Sequence, residues 1–190
     1  MKGDLKMTCI IGMKTKTGVV MGGDSAGVAG QSVSLRSDKK VFKNGPYLMG
    51  FTSSFRMGQL LQFGKLPNIP KSKNPRLNFA FMVKTFVPAI IKILSKGQFT
   101  TSKDNEISGG TFLVGYEHFL YKIDSDFQVA EELSDFATCG SGGNVASGAM
   151  CILTKNKKMP PDKIIHRALE ASERYISTVR GPFNIIEAVK

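Results

Sequence analysis

The side chains able to do chemistry sit at a few widely spaced places, and the first of them form a pair. Thr8 opens the run Thr-Cys-Ile-Ile-Gly and Asp24 closes the run Gly-Val-Val-Met-Gly-Gly-Asp, with the polar segment Lys14-Thr15-Lys16-Thr17-Gly18 between them. Two apolar runs flanking a short polar stretch read as a β-hairpin. With the fold-back centred near Lys16, Thr8 and Asp24 come side by side at the open end, and a hydroxyl meets a carboxylate. An ordinary edge hairpin that begins with Thr and ends with Asp has the same pattern. Further along, Gly140-Ser141-Gly142-Gly143-Asn144 opens a helix. Exposed N–H groups at such a turn can cradle an anion. The run has neither the Lys-Ser/Thr ending of a P-loop nor the dinucleotide-binding glycine spacing, and glycines that let a strand turn closely into a helix explain it more simply. Lys40, taken by itself in the pair Lys39-Lys40, is a surface lysine. Gly50, inside an apolar strand, allows a bulge or close packing.

Other chemistries are excluded by composition. Cys9, Cys139 and Cys151 lack metal-ligand spacing, and with only His118 and His166 beside them no zinc site is implied. The formal net charge of +11 raises nucleic acid as a partner. The lysines, however, are scattered or gathered in loops (Lys71 and Lys73, Lys155 to Lys158), with no basic helix or interleaved aromatic residues to read bases. A solvated surface, or a basic face for an acidic protein partner, fits them. A chain of 190 residues, 42% of them hydrophobic, supports one sizeable core and one domain. No run approaches about 18 consecutive apolar residues and the N-terminus lacks a secretory core, so no membrane is implied and a cytoplasmic location is expected.

The elements that must position these residues follow from periodicity. Strands dominate the first fifty residues: the hairpin, then Ser32–Arg36, Lys39–Lys43, a turn at Asn44-Gly45, and Pro46–Thr52. From Ser53 a capped helix is expected to stop near Gly64, with Pro67 and Pro70 in the following loop. Phe79, Met82, Val83, Phe86, Ile90, Ile93 and Leu94 predict a long amphipathic helix over Leu77–Lys96, with Pro88 as a kink. A polar segment from Gln98 to Gly110 leads to a second hairpin, 111–116 with 119–123, and then to a strand at 136–139. A helix from the glycine turn through Leu153, a second from Pro160 to about Val179 and a last strand over 182–189 complete the chain. This order, without βαβ alternation, suits two antiparallel sheets packed face to face between helical layers.

Taken together the pieces resemble one family. Thr8 to Gly12, Gly18 through Asp24, Lys39-Lys40-Val41-Phe42, Leu48-Met49-Gly50 and Cys139 to Asn144 look like the proteasome β-type subunits and their simpler bacterial relative that partners an unfoldase ATPase. The likeness runs in order along essentially the whole chain, through Ala168-Leu169-Glu170 to Ile185-Ile186-Glu187. It implies the α+β, four-layer αββα sandwich of the N-terminal-nucleophile (Ntn) hydrolases over residues 8–190, without a cofactor. It also implies a threonine-type endopeptidase acting on unfolded polypeptide inside a homo-oligomeric ring, with an ATPase unfoldase or another ring-capping partner. A threonine hydroxyl is too weak an acid to attack an amide unaided, and an α-amine with a pKa of about 7.7–8.0 is a suitable adjacent base. By resemblance Thr8 is the nucleophile and carries that amine, Lys40 sits beside the hydroxyl, and Asp24 holds Lys40. The Gly50 N–H stabilises the oxyanion, Ser141 orients the amine, and Ser177 supports the set. The substrate pocket falls on Gly27, Asp38, Leu48 and Thr52. Assembly would also account for apolar positions at helix surfaces.

Two features depart from the family pattern. Arg174 stands where an Asp three residues before Ser177 is expected. Residues 1–7, Met-Lys-Gly-Asp-Leu-Lys-Met, read as a leader, and while it is attached Thr8 has no free amine. Met7 directly precedes Thr8, so translation from Met7 followed by methionine removal would expose the nucleophile; self-cleavage after Met7 is the competing route. A non-catalytic shell subunit with the same fold is the alternative function. A small-molecule amidase, the third reading, has no evident polar substrate pocket.

Overall fold

The run from Ile10 turns back at Thr15–Thr17 because the Thr15 N–H and hydroxyl both close on the Gly18 carbonyl, at 2.8 and 3.1 Å. The computed structural model describes residues 8–104 and 106–189; the expected leader, residues 1–7, lies outside the described residues. In chain order come β1 (Ile10–Lys14), β2 (Gly18–Gly23), β3 (Ala26–Ala29), β4 (Ser32–Leu35), β5 (Val41–Asn44), β6 (Tyr47–Phe51) and α1 (Phe55–Phe63). They are followed by α2 (Pro75–Phe81), a π-helical turn (Met82–Phe86), α3 (Val87–Lys96), β7 (Thr101–Lys103), β8 (Glu106–Ser108), β9 (Phe112–Tyr116) and β10 (Phe119–Ile123). The last elements are β11 (Val129–Ala130), β12 (Phe136–Cys139), α4 (Gly143–Leu153), α5 (Pro161–Tyr175) and β13 (Asn184–Val189).

Two antiparallel sheets, ordered β12-β1-β2-β13 and β11-β10-β9-β6-β5, lie face to face. Successive strand residues point to opposite faces, and β1 shows the consequence. Ile10 packs between the sheets with Met21, Val41, Leu48 and Leu113. Ile11 packs outward with Ile165 and Leu169 of α5 and with Met150 of α4. The far face of the second sheet, through Tyr47, Met49, Phe112 and Tyr116, meets Met57 and Leu61 of α1 and the buried residues of the long helical run. Strands covered on both faces read as continuous apolar runs, which is why β2 and β6 carry no alternation. The order of layers is therefore helices, sheet, sheet, helices, the αββα sandwich expected.

The long helix differs from expectation in its middle. Pro88 has no N–H and crowds the carbonyl one turn earlier, and the Val87 N–H bonds back to Met82 O, five residues before it. The ladder widens there into the π turn instead of simply bending. By length and mean hydropathy (22 residues, 1.7) Pro75–Lys96 could cross a bilayer. Met82, Phe86, Ile90 and Leu94 are instead fully buried against the second sheet, which makes it a core element of this sandwich.

Three short pieces were not expected: β3, which pairs with β4, the β7–β8 hairpin within the polar 98–110 segment, and β11. The helix expected to reach Val179 ends at Tyr175. Ile176 is extended (φ −117°, ψ 111°), which turns Val179 inward to a fully buried place in the outer core.

Candidate active site

The hairpin register puts Ile10 opposite Gly23 and so Cys9, not Thr8, opposite Asp24. The Asp24 N–H donates to Cys9 O at 3.3 Å, and the Cys9 N–H donates to Asp24 Oδ1 at 3.0 Å. Thr8 lies one residue beyond the pair and meets Asp24 through a third side chain. Lys40, immediately before β5, extends its Nζ to 2.9 Å from Thr8 Oγ1, 2.9 Å from Asp24 Oδ1 and 3.0 Å from Asp24 Oδ2. An ammonium has three N–H bonds, and all three find acceptors here. Asp24 Oδ2 also accepts from the Ala26 N–H at 3.0 Å. Thr8, Asp24 and Lys40 are 3%, 1% and 2% exposed. Lys40, a surface residue when read by itself, is a buried one. Burial lowers its pKa below the ordinary 10.5, and the charge of Asp24 only partly offsets that.

The glycine turn supplies the other side of Thr8. Gly140 sits at φ +95°, where a Cβ would overlap the Thr8 carbonyl oxygen, so this close approach needs glycine. The Gly142 N–H then donates to Thr8 O at 3.1 Å, and the Thr8 N–H donates to Ser141 Oγ at 3.3 Å. Ser141 Oγ lies 2.9 Å from Thr178 Oγ1. The turn spends its Gly142 N–H on the Thr8 backbone and its Gly143 N–H on Gly140 O. Beneath it, Cys9 Sγ donates to Ser172 Oγ at 3.5 Å and Ser172 Oγ donates to Gly142 O at 3.1 Å, tying the first strand to α5. Burial pushes the Cys9 thiol up to about 12, which leaves it inert.

Thr8, Asp24, Lys40 and Ser141 are thus brought together, whereas three other expectations are corrected. Gly50 lies in the middle of β6, opposite Val41 on one side and Leu113 on the other. Since Thr52 N–H donates to Thr111 O, antiparallel alternation gives the Gly50 N–H to Leu113. A Cβ at Gly50 would come within 2.6 Å of Ile10 Cγ2 and 2.7 Å of Met21 Sδ; the residue lets the two sheets close and has no N–H free for an oxyanion. Ser177 is exposed and Thr178 holds the place beside Ser141. The cause is the early end of α5, which shifts the inward-facing residue by one. Of the expected pocket, Leu48 is buried between the sheets and Asp38 is held by Arg36 through two 2.7 Å bonds outside the cleft. Thr52 does line it. Arg174 is exposed in the last turn of α5.

A cleft of about 220 Å³ opens on Thr8 and Lys40, walled by Ala26, Val28, Phe51, Phe55 and the run Thr52-Ser53-Ser54. Arg36 stacks 3.9 Å over the Phe55 ring at its edge. Within that run the Ser54 N–H closes on Thr52 O at 2.8 Å with Ser53 at φ +69° between them. This is the rare, strained form of three-residue turn. Thr52 and Ser54 thereby commit their N–H groups, and that of Ser53 is the one in the run without an acceptor among the described residues. Ser53, Ser172 and Thr178 were missed in sequence. Ser172 alone carried a signal, as a hydroxyl on the apolar stripe Ile165-Ala168-Leu169.

No family model and no curated protein matches this chain. Solved structures do. BPH of Thiobacillus denitrificans in complex with epoxomicin is 16% identical, with a TM-score of 0.76 over 96% of this chain and 100% of that one. A second structure of the same BPH gives 0.76 at 16% identity, over 94% of this chain and 96% of that one. A eukaryotic HslV from Trypanosoma brucei gives 0.65 at 17% identity, over 94% and 97%. The fold is that of the proteasome-type Ntn hydrolases. This chain shares the sandwich of BPH and HslV from end to end.

Proposed function

We propose that the chain is a threonine-type endopeptidase subunit whose nucleophile is the Thr8 hydroxyl. The observation that carries this reading is the buried Lys40 ammonium, 2.9 Å from Thr8 Oγ1 and clasped by Asp24. A buried ion pair contributes little to stability by itself, and a purely structural subunit gains nothing from aiming one at a threonine. With Thr8 at the N-terminus its nitrogen is a free amine beside Ser141 Oγ. The amine takes the hydroxyl proton as Oγ1 attacks the substrate carbonyl, and it returns a proton to the leaving amine of the scissile amide. The resulting ester on Thr8 is hydrolysed by water, with the amine again as base. Lys40 favours the neutral amine and the developing alkoxide through its charge. The Ser53 N–H, in place of Gly50, receives the oxyanion; one such donor is worth about 3–4 kcal/mol in the transition state. Thr178 holds Ser141, and Ser141 holds the amine.

The substrate in this reading is unfolded polypeptide, and the working form is a homo-oligomeric ring in the cytoplasm. Phe63, Leu77, Val83, Ile152 and Tyr175 are large, exposed and spread over the two helical layers, the kind of surface that subunit contacts cover. An ATPase unfoldase or other ring-capping partner would find a groove of about 910 Å³ between α1 and α3, floored by Leu60 and Ile93 and rimmed by Arg56, Lys65, Lys92 and Lys96. The test is hydrolysis of fluorogenic peptide amides by protein beginning at Thr8. Thr8→Ala is expected to abolish turnover while fold and assembly persist, with melting lowered because Lys40 Nζ loses one of its acceptors; equal turnover in both proteins sinks the reading.

A further inference from the structure

Charge is sorted along this chain. From Arg36 to Lys103 Asp38 is the sole acid in a stretch rich in Lys and Arg, whereas Ile123 to Thr154 holds Asp124, Asp126, Glu131, Glu132 and Asp135 and no Lys or Arg. Three of those acids share one loop. Residues 131–135, Glu-Glu-Leu-Ser-Asp, join β11 to β12, which are the edge strands of the two sheets on one side of the sandwich. All five are exposed, and Leu133 wholly so at 107%. Among the described residues Asp135 lies 4.0 Å from Lys14, while Glu131 and Glu132 make no ion pair. An apolar side chain flanked by carboxylates is thus held out to solvent at this edge.

The opposite edges of the sheets are β5 and β13, joined where Asn184 Nδ2 donates to Val41 O at 3.0 Å. A groove of about 740 Å³ opens where these strands meet α1. Phe63, 83% exposed, and Ile186 give it apolar wall, and the exposed Lys39 and Lys43 line it as well. Neither lysine makes an ion pair among the described residues. Asp38, the acid in the groove, is already taken by Arg36 through two 2.7 Å bonds. Four strand spacings, about 19 Å, separate β5 from β11. The 131–135 loop, anchored at both ends on the far edge, does not reach the groove of its own molecule; the loop of a second molecule meets no such limit.

We propose that the 131–135 loop of one copy docks in the β5–β13 groove of the next, Leu133 against Phe63 and Ile186 and its carboxylates against Lys39 and Lys43. Two exposed apolar side chains leave the water and unpaired charges of opposite sign meet. Contact between opposite edges is head to tail, the kind that closes a ring. The docked loop also braces the active site: Lys39 directly precedes Lys40, and the same short segment carries Arg36, which stacks over Phe55 at the cleft edge. The contact rests on the ring reading above and not on the Thr8 chemistry. Light scattering of the purified chain at low and high salt tests it. Wild type should be assembled, less tightly at high salt, where the charges are screened. Glu131→Lys with Glu132→Lys, Lys39→Glu with Lys43→Glu, and Leu133→Asp should each be monomeric with the circular dichroism of wild type. A chain carrying all four charge reversals should assemble again, because loop and groove then match with the signs exchanged. Peptide turnover by Leu133→Asp, a residue outside the cleft, should fall together with assembly. Loop or groove variants that assemble as wild type does, or a fourfold reversal that stays monomeric, overturn the proposal. A wild type that is monomeric at every concentration removes the ring and this contact with it. One that assembles through this contact but cleaves nothing removes the peptidase reading and leaves the contact standing.

Discussion

Replacing Lys40 by Met removes the charge and leaves an unbranched apolar stem in the same hole. Asp24, 1% exposed, then keeps only the Cys9 and Ala26 N–H groups, each at 3.0 Å, and loses both ammonium contacts. Breaking a fully buried pair on one side costs about 3–5 kcal/mol, because the remaining charge is stranded. For a domain of this size about 1 kcal/mol moves the melting temperature by about 2–4 °C, so Lys40→Met should melt about 6–20 °C below wild type at neutral pH. The same argument makes the loss non-additive. In Lys40→Met with Asp24→Asn no charge is stranded, and the double variant should melt above Lys40→Met alone. The pH dependence has a definite sign. The folded-state pKa of Lys40 lies below 10.5, chiefly because of burial, so between that value and 10.5 the unfolded chain holds more protons than the folded one. Wild type should therefore gain stability relative to Lys40→Met as pH rises through that window. Thermal unfolding followed by circular dichroism reads all of this. Lys40→Met melting within about 2 °C of wild type, against the 6 °C minimum worked out above, would refute the reasoning, as would a double variant below the single one.

Ser53→Gly should keep its activity, since the N–H remains, and melt about 2–4 °C higher through relief of about 1 kcal/mol at φ +69°; lost turnover with the fold intact would remove Ser53 from the site. Gly50→Ala should lower melting by forcing a Cβ against Ile10 and Met21, at about 1–3 kcal/mol, with unchanged kcat per folded molecule. Thr178→Val, which deletes the hydroxyl 2.9 Å from Ser141, should reduce kcat about tenfold without a change in melting, and Thr178→Ser should restore it. If Thr178→Val is fully active, the amine does not depend on that chain of hydroxyls. Because Lys40 gives up its proton more readily than a surface lysine, the alkaline limb of kcat/KM should fall below 10.5; a limb absent from Lys40→Arg and present in wild type would assign it.

Short-range pattern made the meeting of the first two strands legible, whereas Lys40 and Ser141 were placed at the site only by the family resemblance. Hairpin symmetry brought the start of β1 to the end of β2, and it erred by one residue because the turn is centred between Lys16 and Thr17, so Cys9 takes the place opposite Asp24. The layers were legible from strands apolar on both faces. Gly50 misled because a glycine in an apolar strand serves close packing and an exposed N–H equally well in sequence. Its N–H is assigned by the pairing of β6 with β9, more than sixty residues away. Thr178 depends on where α5 ends, and that end is set by Val179 reaching the outer core and by the carbonyls around Arg180, neither of which helical periodicity registers. Ser53 carries the least signal of all, since a serine at positive φ has no sequence signature apart from its surroundings.

The central claim is that the Thr8 nitrogen, 3.3 Å from Ser141 Oγ, is the base for the Thr8 hydroxyl. Its most direct measurement compares two forms of the same chain on one peptide amide: one whose first residue is Thr8, and one in which residues 1–7 are verified by mass to remain attached throughout the assay. The account predicts turnover by the first, with an acid limb below the ordinary α-amine pKa of about 7.7–8.0 because the Lys40 charge favours the neutral amine, and none by the second. Turnover by the second at the rate of the first, its leader still in place, would contradict it.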